Sequence, residues 1–200
     1  LHELLRIEGF AAIEPIALAD LPARLAHAEG IDGVILPRMV LPTVVADALA
    51  TWVRAGGKLI ALHPDAILLR RFGFVPGFHQ VVSGTLTFRK DGMLAGLPLE
   101  VVQQLVPTIA VQAGSEAQAT VLATLSPLDD PLSPRPAIWH ARIGSGEVAL
   151  FSFDLAKAVS RLRQGNPDLA DMPNEIYDQI HRPSDLFRGQ LAPQMAAIPQ

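Results

Sequence analysis

The polar residues with the types and spacing for chemistry stand at the ends of apolar runs. Leu59-Ile60-Ala61-Leu62 passes straight into His63-Pro64-Asp65, and Val148 to Phe151 leads through Ser152 and Phe153 to Asp154. A histidine and two carboxylates brought to one sheet edge could hold a divalent metal or orient a water for hydrolysis. Each Asp also stands directly before a helical pattern, where its side-chain oxygen would satisfy free backbone N–H groups as an N-cap. The expectation is therefore that Asp65 and Asp154 are caps and that His63 is a polar strand end. A third polar group is Arg163-Gln164-Gly165-Asn166-Pro167. Arg163, Gln164 and Asn166 can donate and accept in the planar geometry that a sugar or carboxylate requires. Structurally, Gly165 and Asn166 would end the preceding helix, Pro167 would stop its continuation, and Arg163 would bond to the sheet edge.

Other candidates carry less. His140 lies in an alternating strand and is expected in a cross-strand pair. His79 and His181 fall in loops, His2 and His27 on helices, and none has metal-ligand spacing. Ser83, Ser145 and Ser152 lack a Gly-x-Ser-x-Gly elbow. Gly144-Ser145-Gly146 reads as a hairpin turn and not a phosphate cradle, because no helix follows it.

The elements that must position these residues are legible from periodicity. Val45, Ala48, Leu49, Trp52 and Val53 form one apolar stripe of a helix, which Gly56 caps in the left-handed conformation before the unalternating strand at 59–62. Upstream, the pattern predicts a helix over 1–8, a short strand over 10–16, a helix over 21–28 capped by Asp20, and a strand over 32–37. Downstream come a helix over 66–72 and alternating strands within 84–89, 106–112 and 120–125. The strands 137–143 and 147–153 and a helix over 155–162 complete the series. The fold class is α/β: a three-layer, largely parallel flavodoxin-like sheet with antiparallel edge additions and a C-terminal extended arm. Residues 1–162 form the domain and 163–200, where apolar periodicity is lost, form the arm or linker.

Of the 200 residues half are apolar and 18% charged, the balance of a packed globular chain. The net charge of −4 and the absence of basic patches argue against nucleic acid as a partner. With no cysteine, disulfides, thiolate metal sites and a Cys nucleophile are excluded, while the compartment stays open. No apolar run approaches the roughly 20 residues of a membrane span. The chain starts inside a helical pattern, where a doubly wound sheet would have a preceding strand, so it reads as a piece of a longer protein.

On these residues the chain resembles the class I glutamine amidotransferase-like superfamily, whose nucleophile elbow corresponds to the segment IDGVILPRMVLP, a helix, and AGGKLIALHPD. AGGKLIALHPD, FSFDLAKAVSRLRQGNP, RPSDLF and the terminal AAIPQ are more closely similar to a bacterial family in which such a domain precedes a polysaccharide-deacetylase-like segment. The amidotransferase resemblance implies a Cys where this chain has His63 and a His-x-Glu pair where it has Phe153-Asp154-Leu155, while the closer family more often reads Arg-Pro-Asp at that strand end. Without a thiolate there is no acyl-enzyme route to ammonia. The expected function is thus a non-catalytic accessory or interaction domain of a larger bacterial protein, with no catalytic residue, metal or cofactor. Its partners would be other domains of the same chain, with a carbohydrate or small polar ligand as a further candidate. The alternative is a metal-dependent or water-activating hydrolase using His63, Asp65 and Asp154.

Overall fold

The structure, a computed structural model, describes residues 1–96, 101–115 and 118–164. In chain order its elements are α1 (His2–Ile7), α2 (Leu21–Ala26), β1 (Val34–Leu36), α3 (Thr43–Arg54), β2 (Lys58–Leu62) and α4 (Ala66–Arg71). Then follow β3 (Phe74–Val81), β4 (Gly84–Phe88), β5 (Val101–Gln104), β6 (Thr108–Ala113) and β7 (Gln118–Pro127). The hairpin β8 (Arg135–Ile143) and β9 (Gly146–Phe151) leads into α5 (Leu155–Gln164).

One seven-stranded sheet has the order β1-β2-β9-β8-β7-β4-β5. β1, β2 and β9 pair in parallel, and every pairing from β9 outward to β5 is antiparallel. The sheet is therefore mixed: of the alternating strands expected as edge additions, β4 and β7 join it, whereas the one within 106–112 is β6 of the other sheet. The antiparallel strands extend one side only: β8 and β9 are joined by a tight turn, β4 and β7 are neighbours although β5 and β6 lie between them in sequence, and the parallel strands β1 and β2 are joined through α3. β3 and β6 form a separate antiparallel pair that the sequence patterns did not reveal. His79 lies in β3, not in a loop.

α3 is the helix on which the parallel part rests. Val45, Ala46, Leu49, Ala50, Trp52 and Val53 are buried, so the predicted stripe holds and two alanines widen it. They join Leu59 and Ala61 of β2, Val148 and Leu150 of β9, and Trp139 of β8 in one core shared with α2 and α4. Each fully buried side chain of Leu or Val size contributes about 1.5–3 kcal/mol. Trp139 meets Phe74 edge to face at 5.7 Å between ring centroids, which joins the two sheets. A second core gathers Leu86, Leu122, Leu125, Ile138 and Phe153 with Ala158 of α5.

Two local expectations fail for physical reasons. Residues 10–16 form no strand. β1 is the last strand on its side among the described residues, and this segment does not pair with its open edge; Pro15 lacks a backbone N–H for a ladder, and Ile16 packs against the first core instead. Asp20 precedes α2 but makes no side-chain cap bond. Its φ of −89° and ψ of −15° are already helical, and a cap oxygen reaches the first turn from an extended backbone.

Candidate functional site

The carboxyl tips of β1, β2 and β9 lie side by side, the place where α/β sheets present chemistry. β1 is aligned with β2 through Leu36 opposite Ala61, and β2 with β9 through Leu62 opposite Phe151. Carried past the strand ends, that register brings Arg38 level with His63 and His63 level with Ser152. The ladder does continue, since the His63 backbone N–H donates to the Phe151 carbonyl at 2.8 Å.

His63 has a φ of 50°, the one non-glycine in the left-handed region among the described residues. Histidine enters that region more readily than β-branched residues, but such a backbone is still strained and clusters at functional positions. Its Nδ1 is buried with no hydrogen-bond partner among the described residues. Burial pushes the imidazole pKa below its ordinary value, the Arg38 guanidinium pushes it further down, and the Asp154 carboxylate pulls the other way. The ring is thus neutral at neutral pH.

This has a sign for folding. The unfolded chain takes up a proton at His63 near the ordinary pKa of about 6.5, before the folded protein does. The stability linked to the neutral ring is whole above that pH and is lost as pH falls toward the lowered folded-state value. Urea midpoints measured from pH 7.5 down to 5.5 should fall further for the wild type than for His63→Gln. Parallel curves would show that this imidazole is not held neutral.

Both carboxylates cap helices, as their positions predicted. Asp65 Oδ1 accepts from the Leu68 N–H at 2.9 Å and begins α4. Its second oxygen accepts from the Leu41 N–H at 2.8 Å, tying the loop after β1 to the loop after β2. Asp154 Oδ1 accepts from the Lys157 N–H at 3.1 Å at the start of α5. No group of three or more His, Cys, Asp or Glu residues able to hold a metal occurs among the described residues.

Two residues gain weight that sequence patterns did not give them. Arg38 is exposed and makes no hydrogen bond or ion pair among the described residues, so its charge is available at the strand tips. The signal that could have found it is the matched ends of two apolar runs, ILPR and IALH. Ser152 is only 1% exposed. Its N–H donates to Ala137 and its carbonyl accepts from Ile109, both at 2.9 Å, while its hydroxyl has no partner.

The Arg163 cluster does not come to this edge as a unit. Arg163 pairs with Glu8 just beyond α1, and not with the sheet edge. Gln164 is the last residue of α5, and Asn166 and the expected arm from 165 onward lie outside the described residues. His140 meets Glu147 across the β8–β9 hairpin at 3.1 Å, the expected cross-strand pair.

Comparison with solved structures identifies relatives of the fold. A cytoplasmic protein from Salmonella typhimurium LT2 is similar over 76% of this chain and 74% of its own, with a TM-score of 0.57 and 12% identity. A protein described as ThuA-like, from Bacteroides uniformis ATCC 8492, covers 76% and 71% with a TM-score of 0.53 and 12% identity. The chain is ThuA-like in fold. ThuA-like proteins have a class I glutamine amidotransferase-like fold, so the α/β resemblance read from the sequence is met at that level. An exo-β-1,4-mannosidase from Opitutaceae bacterium strain TAV5 is similar over 66% of this chain, at 14% identity and a TM-score of 0.49. The chain spans 23% of that enzyme's length. No protein-family model and no curated protein matches the sequence.

Proposed function

We propose that this ThuA-like domain is a non-catalytic, amidotransferase-like accessory or interaction module of a larger bacterial protein, with flavodoxin-like layering of helices on its sheet. Carbohydrate-active proteins are the class in which such a module would serve, following the resemblance of its sequence to domains that precede a deacetylase-like segment. The observation that carries the reading is His63: a strained, left-handed residue at the tip of β2, with a neutral imidazole in place of a nucleophilic thiolate. An imidazole there can accept or donate a hydrogen bond, but it offers no acyl-enzyme chemistry of the amidotransferase kind.

Against the hydrolase alternative stands the engagement of its acidic groups. Both Asp65 oxygens are already engaged by backbone N–H groups, and Asp154 spends one on its helix. A metal or a water held by Asp65 would have to compete with those bonds, which leaves one Asp154 oxygen beside His63.

The purified protein should release no ammonia from glutamine, should not hydrolyse activated esters above the buffer rate, and should retain no stoichiometric metal. Turnover abolished by His63→Ala, or metal lost in that variant, would overturn the reading in favour of a hydrolase.

A further inference from the structure

We propose that the tips of β1, β2 and β9 form a binding site for a small hydroxylated carboxylate, a sugar acid in chemical class, held by Arg38, His63, Ser152 and Asp154. The proposal rests on the non-catalytic reading of the same strand tips and adds what they hold.

Arg38, His63 and Ser152 follow the ends of three adjacent parallel strands, Asp154 comes two residues after Ser152, and the charges of Arg38 and Asp154 both act on the His63 ring. Two of the four have buried polar atoms without a hydrogen-bond partner among the described residues, His63 Nδ1 and Ser152 Oγ. Leaving such an atom unsatisfied is costly, and in native proteins it points to a water, an ion or a ligand. The main-chain groups of Ser152 are already spent on neighbouring strands, so its hydroxyl is what the residue has left to offer.

The charges select the ligand. Among the described residues Arg38 has no ion-pair partner, and the fork of its guanidinium matches a carboxylate. Asp154, with one oxygen on its helix, has a second that accepts from a hydroxyl and repels a second anionic group. A neutral imidazole and a serine hydroxyl each donate or accept, which suits hydroxyl groups next to a carboxylate. A phosphate or a dicarboxylate would set a second negative charge against Asp154. A neutral sugar would leave Arg38 without a counter-charge.

The test is titration calorimetry on the full chain with D-glucuronate, D-glucose and acetate. D-Glucuronate should bind saturably, and D-glucose and acetate should each bind at least about tenfold more weakly, the value of one charge-assisted hydrogen bond. Arg38→Gln, at an exposed position, should fold as the wild type does and weaken D-glucuronate by about tenfold or more. Ser152→Ala should weaken it less, without changing the preference for the acid. No saturable binding of D-glucuronate, or binding that Arg38→Gln leaves unchanged, overturns the proposal. Neither result bears on turnover, so failure here leaves the non-catalytic reading standing. Conversely, binding accompanied by chemical conversion would overturn that reading and keep the site.

Discussion

Asp65→Ala should destabilise the protein by about 2–4 kcal/mol, which sums a lost helix cap of about 1 kcal/mol and a second, part-buried N–H left without its acceptor. The carboxylate serves Leu68 in its own helix and Leu41 across the loop before α3, so one side chain organises two of the three strand-tip loops. Asp65→Asn keeps one carbonyl oxygen and should lose roughly half as much. Asp154→Ala removes a single cap bond and should cost about 1 kcal/mol. Urea unfolding at pH 7.5 measures all three. If Asp65→Ala proves no worse than Asp154→Ala, the Leu41 bond contributes nothing, and a role for Asp65 in chemistry returns. A loss of this size is a large share of the 5–15 kcal/mol by which domains are stable.

Gly146→Ala should cost about 3 kcal/mol or more, lowering the melting temperature by about 6–12 °C for a chain of this length. A Cβ at Gly146 would collide with the backbone carbonyl oxygens of Val53 and Gly57, where nothing can rotate aside. The approach is that close because the β8–β9 turn is bonded to the end of α3. Ser145 donates to Arg54 at 3.0 Å and Glu147 to Gly57 at 3.1 Å. Ser145→Ala, one residue away on an exposed side chain, should stay within about 0.5 kcal/mol of the wild type. Calorimetric melting of the two variants distinguishes a packing requirement from a general sensitivity of the turn. Should Gly146→Ala yield no soluble protein while Ser145→Ala is normal, that outcome also supports the clash. Equal melting temperatures for both would refute it.

These two sites differ in how far the sequence exposes them. Asp65 is readable as a cap because its partner Leu68 lies three residues away, in a helix announced by its own apolar pattern. Its second bond, to Leu41, spans 24 residues and has no sequence signature. Gly144-Ser145-Gly146 reads as a turn, and it is one. That the second glycine is needed for docking on α3, and not for turning, depends on an element almost 100 residues earlier. Arg38 shows the same limit: a single arginine after a short strand has no pattern, and only the pairing of β1 with β2 makes it a neighbour of His63.

The sequence by itself determined the elements whose causes are local: the amphipathic stripe of α3, the buried run of β2, the caps at Asp65 and Asp154, the closing hairpin, and the absence of a thiol. Tertiary structure decided the balance of parallel and antiparallel pairing, the separate β3–β6 pair and the failure of residues 10–16 to form a strand. It also decided the meeting of Arg38, His63, Ser152 and Asp154 at one edge. Periodicity and capping act over a few residues and leave their mark on the chain. A ladder forms only where another strand is present in register, so its partners are fixed by the packing of the whole sheet.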